Sequence, residues 1–486
     1  MDMNSRLPTG LALWCILTGT SAEAAGSGPA PPVLGYVARK LPLPPDVLPS
    51  CMTVRGDGTL AVGSMDGDIA LVSDADGDGM LDTYTRWAGT LPHWPLGLRA
   101  EGEDLLVASR GALLRLADRD RDGWAERWSI VGDDWDVSRD HHDWTTGIAR
   151  LPDGGWVVCP VTDDVRTKDI TGRHHFRGKA LRVAPDGSTR VLAEGLRYPT
   201  GWATRRGDGA VFFTDNQGQQ KTTCEIDRLV PGGWYGYASQ ADPPSSRARA
   251  VVPPAVRIPY PWARSVNGLE FVDAGGRFGP LEGQLILCEY NNRFLLRASL
   301  EEVDGQTQGA CYPFLEDMLG PICLAFSPAG DLYVGSLREP AWGGQPEQGA
   351  LFRVSYAGRP AFGIQELRAR PDGFALTFFT PPADPAAATD PHQYRLRRYR
   401  HVFQGSYHSP PTDEQTLRIE TAALEPDGKT VRLAIEGPMI PDRIYELQTS
   451  LADARPAVAH YTMNRVPRPE GPPRPSPVES TRARTR

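Results

Sequence analysis

Cysteine is scarce in this sequence, and the few cysteines form no recognisable cofactor or metal motif. There are 7 cysteines among 486 residues, and no Cys-x-x-Cys-His segment occurs. Covalent attachment of a c-type haem is therefore excluded, and the spacing predicts no zinc cluster. Without the N-terminal segment described next, six cysteines remain, an even number that permits disulfide bonds without specifying their pairing.

The N-terminus lacks an apolar run long enough to cross a membrane. Its apolar run, Leu11 to Leu17, follows Arg6 and precedes the small-residue pattern Ser21-Ala-Glu-Ala24. A short apolar run between a basic residue and an Ala-x-Ala site is typical of a secretory signal peptide. We therefore predict a signal peptide at residues 1–24, a flexible lead at residues 25–34, and export to the periplasm or the extracellular space.

A strong excess of one charge and a long helical periodicity are also absent. The formal net charge is −8 and the basic residues are scattered, so binding to nucleic acid is not expected. Glycine and proline are abundant instead, with 51 and 45 residues. This composition favours many short strands joined by turns.

Six segments repeat one pattern, in which an apolar strand follows a Gly-rich or Asp-Gly turn. They begin at Gly56, Glu101, Pro152, Gly207, Gly283 and Pro328. Asp-Gly between apolar runs is a strong hairpin signal, and short strands that recur at a blade-length period are typical of propellers. The predicted fold class is all-β, with a six-bladed β-propeller at residues 35–360.

Two acidic loops of the pattern D-x-D-x-D-G-x-x-(D/E) lie 44 residues apart in this region. Their carboxylates belong to Asp74, Asp76, Asp78 and Asp82 in the first loop and to Asp118, Asp120, Asp122 and Glu126 in the second. This spacing, with glycine at the sixth position, matches the oxygen cage of a calcium loop, although neither loop ends in the glutamate of an EF-hand. We predict two calcium ions that clamp blade loops; the alternative is two solvated acidic turns.

The pattern changes after residue 360. Strand-like runs without the blade period occur at residues 374–379, 430–435 and 443–447. They predict a small β-sandwich-like domain at residues 364–455 that follows the propeller. Residues 465–486 are rich in proline and arginine and have few apolar side chains, so we predict a disordered tail.

Three motifs that follow one another resemble a known family. They are Gly195-Leu-Arg197-Tyr198-Pro-Thr-Gly201, Phe213-Thr-Asp215-Asn216-Gln-Gly218 and Pro231-Gly-Gly-Trp-Tyr-Gly236. Their order is similar to that in the soluble quinoprotein glucose/sorbosone dehydrogenase propellers. The branch they resemble most is the exported one, called membrane-bound dehydrogenases, which carries paired DGDG loops.

The resemblance implies a sugar dehydrogenase with a histidine base and with calcium beside pyrroloquinoline quinone (PQQ), which accepts hydride. It assigns catalytic roles to His142 and Arg197, and contacts with substrate or cofactor to His141, Asp215 and Asn216. It also implies an external electron acceptor such as a cytochrome c. Two quinone-binding arginines of the family are missing near residues 320–322, and no counterpart of its quinone-binding lysine is evident.

Two functions are therefore weighed for the chain, and whether it is an enzyme stays open. The first is PQQ-dependent oxidation of a sugar or another alcohol. Because the quinone-binding set is incomplete, the second is a non-catalytic propeller that binds carbohydrate or a protein partner. In either case Trp234, Tyr235 and Trp262 could stack on a sugar ring or pack between blades.

Overall fold

The structure is a computed structural model that describes residues 35–469, apart from residues 92, 136, 138–142, 163–175, 240–241, 339–347, 406 and 452–456. Strands make up 50% and helices 3% of the structure, which confirms the all-β prediction. Within the described residues, no helix is long and apolar enough to cross a membrane.

The first 24 strands form six antiparallel units of four strands each. The first strand, β1 (Tyr36–Leu41), belongs to the sixth unit. The first unit contains β2 (Pro49–Val54), β3 (Leu60–Ser64), β4 (Ile69–Ser73) and β5 (Thr83–Ala88). The second contains β6 (Gly97–Glu101), β7 (Asp104–Ser109), β8 (Ala112–Ala117) and β9 (Arg127–Gly132). The third contains β10 (Thr145–Arg150), β11 (Trp156–Pro160), β12 (Lys179–Val183) and β13 (Thr189–Glu194).

The fourth unit contains β14 (Trp202–Thr204), β15 (Val211–Asp215), β16 (Cys224–Arg228) and β17 (Val256–Ile258). The fifth contains β18 (Val266–Phe271), β19 (Leu285–Glu289), β20 (Phe294–Val303) and β21 (Gln306–Leu315). The sixth contains β22 (Pro321–Phe326), β23 (Leu332–Arg338), β24 (Gln348–Tyr356) and β1. The first strands of neighbouring units contact one another in a closed ring, β2-β6-β10-β14-β18-β22-β2. The six units are therefore the blades of a closed six-bladed propeller.

The two ends of the propeller chain meet in the last blade. The strand β1 pairs antiparallel with β24, from Tyr36 opposite Tyr356 to Leu41 opposite Leu351. This pairing covers the edge of β24 and joins the first residues of the ring to the last, so the ring is closed by backbone hydrogen bonds.

The six turn-strand segments recognised in the sequence lead into the second strand of each blade, namely β3, β7, β11, β15, β19 and β23. At the first of them, Arg55 N donates to Thr59 O at 2.9 Å and Gly58 N donates to Arg55 O at 3.0 Å. Gly58 has a φ of 88°, a conformation that other residues rarely adopt. The Asp-Gly signal thus marks one structural position that recurs in the blades.

A two-sheet β-sandwich follows the propeller, as predicted. One sheet has the order β25 (Ile364–Arg370), β26 (Gly373–Phe378), β30 (Thr430–Ile435), β29 (Ile419–Leu424). The other extends blade five beyond β21 with β32 (Ala457–Met463), β31 (Arg443–Thr449), β27 (Tyr394–His401) and β28 (Pro411–Leu417). A short helix, α1 (Pro385–Ala388), and a 3-10 turn (Pro391–Gln393) precede β27.

The sandwich is fixed to blade five by a shared core and by one buried arginine. Its core contains Phe374, Leu376 and Tyr445 and continues onto Tyr312 of β21. Arg297 of β20 is 2% exposed and donates to the Ile364 carbonyl oxygen and, at 2.8 Å, to the Gln365 carbonyl oxygen. Its guanidinium lies 4.0 Å from the centre of the Tyr312 ring. The cation therefore lies over an aromatic face between the propeller and the sandwich.

The predicted domain limits of 364–455 and 465–486 stay predictions. A strand of the sandwich and a hydrogen bond to the propeller lie near them. The strand β32 begins after residue 455 and belongs to the sandwich. At the start of the tail, Arg465 N donates to Gln308 Oε1 at 2.7 Å. Residues 1–34 and 470–486, which include the predicted signal peptide, lie outside the described residues.

Candidate functional site

The innermost strands of the six blades carry a small residue at the same level of the central channel. These residues are Cys51, Gly97, Gly147, Gly201, Gly268 and Cys323. A Cβ atom on Gly97 would lie 1.7 Å from the Gly147 carbonyl oxygen, and one on Gly201 would lie 2.1 Å from the Asn267 carbonyl oxygen. The inner strands therefore pack backbone to backbone, and the channel cavity they leave is only about 60 Å³.

An ion pair between opposite blades blocks this channel. Arg99 of β6 in blade two lies 2.9 Å from Glu270 of β18 in blade five. Arg99 also donates from Nε to the Ile148 carbonyl oxygen and from Nη2 to the Trp202 carbonyl oxygen. Burial raises the pKa of Glu270, and the charge of Arg99 opposes that rise. The pair divides the channel: a cavity of about 220 Å³ lined by Arg99 and Glu270 lies at the end that faces the Asp-Gly turns, and we call the other end, where the inner strands begin, the mouth.

Three aromatic side chains stand at the mouth, each shortly before an inner strand. Trp94 precedes β6, Trp144 precedes β10 and Tyr198 precedes β14. The ring centroids of Trp94 and Trp144 are 6.0 Å apart, and those of Trp144 and Tyr198 are 6.1 Å apart. Trp94 and Tyr198 are half-buried, whereas Trp144 is buried. The rings form a continuous rim, which we call the aromatic arc, and the cavity lined by its two tryptophans measures about 30 Å³.

Charged and polar groups lie beside the aromatic arc. Asp143 forms ion pairs with Arg177 and, at 3.9 Å, with Arg110. Asp143 and Arg177 are 4% and 3% exposed, so water screens their pair little. The pKa of His93, next to Trp94, is lowered by burial and by the charge of Arg110, which keeps its ring neutral at pH 7. The mouth thus combines apolar ring faces with hydrogen-bonding groups.

The loop that carries Tyr198 is held from below by Asp215. Asp215 Oδ2 accepts a hydrogen bond from Arg197 N at 2.9 Å, and Asp215 Oδ1 accepts one from Tyr198 N at 2.7 Å. The Asp215 side chain is completely buried. Asn216 Nδ2 donates to the carbonyl oxygens of Tyr198 and Val266 at 3.1 Å each. Asp215 and Asn216 therefore position the loop that carries Tyr198. The ligand contacts predicted for these two residues stay predictions.

Arg197 is at the mouth, but its guanidinium is already bonded within the protein. Nη1 donates to the Gln217 carbonyl oxygen and Nη2 to the Tyr407 hydroxyl, both at 2.8 Å. The guanidinium carbon lies 4.9 Å from the centre of the Tyr198 ring and 5.4 Å from that of Tyr407. Arg197 is 8% exposed. It therefore joins two aromatic rings and offers little surface to a ligand.

Beneath this loop lies a buried cluster of one lysine and three carboxylates. Lys221 Nζ is 3.0 Å from Asp215, 2.7 Å from Glu225 and 3.9 Å from Asp227. All four residues are at most 5% exposed. Burial raises the pKa of Asp227 well above its usual range, although Lys221 opposes the rise. Because Lys221 is surrounded by acids of blade four, it does not point a free cation into the mouth.

Four of the described cations at the mouth are bonded within the protein, and these four do not fit the quinone. A quinone with several carboxylates needs exposed arginine or lysine side chains at the mouth. Arg197 bonds to a carbonyl oxygen and a tyrosine, Lys221 is buried among acids, and Arg110 and Arg177 pair with Asp143. His141 and His142 lie outside the described residues, and Asp143, the next residue in the chain, lies at the mouth.

Each acidic loop brings three of its predicted carboxylates together, and their role as calcium ligands stays a prediction. Asp74, Asp76 and Asp78 place one oxygen each within 4.8 Å of one another, and Asp118, Asp120 and Glu126 do the same. Such sets of carboxylate oxygens suit calcium. The first aspartate of each loop also accepts backbone hydrogen bonds from inside its loop, for example Asp74 Oδ2 from Gly79 N at 2.7 Å.

The remaining predicted carboxylates, Asp82 and Asp122, bond to their own loops. Asp82 Oδ1 accepts a hydrogen bond from the Thr83 hydroxyl, and Asp122 Oδ1 accepts one from Trp124 N at 2.8 Å.

Both acidic loops lie far from the mouth and touch the preceding blade. Each connects the third to the fourth strand of its blade, at the end opposite to the start of the inner strand. Arg353 of blade six donates to the Gly79 carbonyl oxygen at 2.6 Å, and Ala125 N donates to the Trp87 carbonyl oxygen of blade one at 2.7 Å. An ion in either loop would therefore stabilise contacts between blades.

All six described cysteines are free and buried. Burial raises the pKa of the Cys51 thiol to about 12, so the thiol stays protonated at neutral pH. The disulfide bonds that the even number of cysteines permits are absent among the described residues.

The sequence motifs did not identify Trp94, Trp144, Arg99 or Glu270. A signal for the inner strands does exist, because a small residue is followed by an apolar one in each blade, as in Gly97-Leu98 and Gly147-Ile148. Residues just before that pair face the mouth. Of the rings suggested from sequence, Trp234 and Tyr235 are 3% and 2% exposed and pack within the protein. Trp262 is half-buried, and its ring lies edge-on to that of His460 with centroids 4.3 Å apart.

Comparison with known proteins places this geometry in context. Residues 51–297, half of the chain, match the model of a domain of unknown function (DUF7133). No curated protein matches. A solved oxidoreductase from Thermus thermophilus, described as a glucose dehydrogenase, is 21% identical with a TM-score of 0.51, covering 66% of this chain and 100% of that one.

Two further solved structures come from fungi. A Trichoderma reesei protein of carbohydrate-active enzyme family AA12 is 13% identical with a TM-score of 0.50, covering 67% of this chain and 98% of that one. The holo form of the pyranose dehydrogenase PQQ domain from Coprinopsis cinerea is 13% identical with a TM-score of 0.47, covering 66% and 97%. At these identities the likeness to the first two structures shows the fold alone, and it confirms the propeller that the sequence motifs predicted.

Proposed function

Because the chain belongs to the DUF7133 family and has the propeller fold of sugar dehydrogenases, we propose that it binds a carbohydrate at the mouth. The observation that carries the proposal is the aromatic arc, in which the rings of Trp94 and Tyr198 are half-buried, beside the neutral, half-buried ring of His93. Sugars present apolar faces that stack on aromatic rings and hydroxyls that need hydrogen-bonding partners. Ring faces with a few fixed polar groups supply both.

The test is calorimetric titration of the full chain with hexoses (glucose, galactose and mannose) and with the hexasaccharides built from them. Replacing Trp94 by alanine removes a half-buried stacking face, so the affinity for the best sugar should fall about tenfold. The matched control is Trp128→Ala, because Trp128 is 37% exposed on the outermost strand of blade two. Equal affinities for the wild type and both variants, or no sugar binding at all, would refute the proposal.

The mouth is proposed to bind its ligand without PQQ. Arg197 donates its hydrogen bonds to Tyr407 and Gln217, and Lys221 forms ion pairs with three carboxylates. Neither side chain therefore offers its charge to the carboxylates of the quinone. Titration of the protein with PQQ and calcium should leave the quinone in the filtrate after ultrafiltration, and dye-linked oxidation of the hexose panel should not exceed the blank. Retention of one quinone per chain, followed by sugar oxidation, would instead establish the dehydrogenase function.

The acidic loops are proposed to bind two structural calcium ions. Each ion would hold its loop against the preceding blade, where the Gly79 and Trp87 carbonyl oxygens are contacted. Calorimetry should count two ions per chain, one lost in Asp76→Asn and the other in Asp120→Asn, and chelation should lower the melting temperature. The same melting temperature with chelator and with calcium would show that the loops are solvated turns.

Export is proposed from the N-terminal segment alone. Cleavage after Ala24, as a signal peptide requires, would give a mature protein that begins at Ala25. N-terminal sequencing of protein isolated from the periplasm or medium checks the site, and an intact Met1 in the cytoplasm would contradict it.

A further inference from the structure

A loop of the C-terminal sandwich reaches the propeller mouth. Residues 402–410 connect β27 to β28, and within them His408 N donates to Gln217 Oε1 at 2.9 Å. The His408 ring stacks on Tyr260 of the propeller, with centroids 3.8 Å apart and planes at 14°. At the base of the loop, His401 Nδ1 lies 2.7 Å from the Ser409 carbonyl oxygen. The loop is thus fixed at its base and at its far end.

The loop places Tyr407 beside Arg197. The Tyr407 hydroxyl accepts the hydrogen bond from Arg197 Nη2, yet the residue is 53% exposed. Its approach requires glycine at position 218, because a Cβ atom there would lie 2.7 Å from Arg197 Cζ and 3.0 Å from Tyr407 Cε1. The contact is therefore a close fit between the two domains.

Tyr407 extends the aromatic arc beyond the propeller. Trp94, Trp144 and Tyr198 come from the approaches to blades two, three and four, and the Arg197 guanidinium lies near both the Tyr198 and the Tyr407 rings. We infer that the mouth binds an oligosaccharide, and that Tyr407 forms an outer subsite for a sugar unit beyond those on the propeller. This inference rests on the proposed carbohydrate function.

The mouth cavity does not enclose a ligand. The space that Trp94 and Trp144 line measures only about 30 Å³. A hexose cannot enter it and must lie on the rim. The rings with exposed surface there, Trp94, Tyr198 and Tyr407, lie at separate positions, which a chain of sugar units can contact together.

The experiment compares each hexose with its hexasaccharide in calorimetric titrations of the full chain. The hexasaccharide should bind the wild type at least about tenfold more tightly than its hexose, and Tyr407→Ala should weaken hexasaccharide binding much more than hexose binding, so that most of that difference is lost. Tyr407→Phe keeps the ring and should bind within about twofold of the wild type. Phe403→Ala removes another exposed ring of the same loop and serves as the matched control.

The outcomes separate this inference from the function on which it rests. If the hexose and hexasaccharide bind equally well, or if Tyr407→Ala affects both alike, the outer subsite does not exist although the mouth still binds sugar. If Tyr407→Phe is as weak as Tyr407→Ala, the hydrogen bond to Arg197 matters and the stacking face does not, which overturns the inference. If neither sugar binds the wild type, the proposed function itself fails.

Discussion

Replacing Lys221 by methionine should destabilise blade four strongly, because it removes the only cation among the described residues that contacts Asp215, Glu225 and Asp227 together. Methionine is of similar length and apolar, so little packing is lost. Arg257 remains 3.1 Å from Glu225 but bridges only that carboxylate. The variant therefore retains buried negative charge without sufficient compensation.

The size of the effect follows from the burial of the cluster. Removing one partner of a buried ion pair costs about 3–5 kcal/mol, and Lys221 is 4% exposed. Since the entropy of unfolding is about 2 cal/mol/K per residue, such a loss over 486 residues lowers the melting temperature by about 3–5 °C. Scanning calorimetry of wild type and variant measures both quantities.

The deficit of the variant should also depend on pH. Burial already raises the pKa of Asp227 in the wild type, and removing the charge of Lys221, which opposes that rise, should raise the pKa of Asp227 further. A carboxyl whose pKa is higher in the folded than in the unfolded protein stabilises the fold at low pH. This stabilisation is complete below the unfolded-state pKa and is lost as pH rises through the folded-state pKa. The difference in melting temperature between variant and wild type should therefore be larger at pH 8 than at pH 5.

A surface ion pair provides the control for this prediction. Arg206 pairs with Asp273 at 3.2 Å, and its side chain is 83% exposed, so Arg206→Met should change stability by less than about 1 kcal/mol. If Lys221→Met behaved like this control, or if its deficit were the same at both pH values, the buried charge cluster would not stabilise the blade as argued.

Three further predictions concern other buried charges. Arg297→Met should cost about 3 kcal/mol in urea unfolding, since it leaves the Ile364 carbonyl oxygen and Gln284 Oε1 without the hydrogen bonds that Arg297 donates; an unchanged midpoint would contradict this. Glu270→Gln should cost about 1–3 kcal/mol at pH 7 by leaving Arg99 without its counter-charge, and an equally stable variant would show that the pair is dispensable. Burial lowers the pKa of His460 to about 4, so the neutral ring stabilises the fold fully above pH 6.5 and this stabilisation is lost as pH falls toward 4. The melting temperature of the wild type should therefore fall over this pH range, and His460→Gln should make the fall smaller. An unchanged dependence of melting temperature on pH would refute the assignment.

The blades could be predicted from sequence because each repeats one local signal. The Asp57-Gly58 turn and its equivalents impose their geometry through neighbouring backbone atoms, so a few residues suffice to recognise them. The acidic loops are equally local, since the backbone bonds of Asp74 and Asp118 lie within each loop. The sandwich was predicted for the same reason, from strand-like runs that lack the blade period.

The mouth could not be predicted in the same way, because its residues meet only when the ring closes. Trp94, Trp144 and Tyr198 belong to three blades, and the Arg99–Glu270 pair joins opposite sides of the ring. The motif around Arg197 was found, but its sequence does not show that a tyrosine 210 residues further on accepts its hydrogen bond. Nor does it show that the buried oxygens of Asp215 accept hydrogen bonds from backbone N–H groups. Such long-range contacts decide what each side chain can offer a ligand.

The most direct test of a carbohydrate-binding mouth is a crystal structure of the full chain grown with the hexasaccharide that binds most tightly. Sugar units should stack on Trp94 and Tyr198, with one unit on Tyr407 and the Arg197–Tyr407 hydrogen bond intact. Sugar bound at another surface, or bound with Arg197 turned away from Tyr407 toward the ligand, would contradict it.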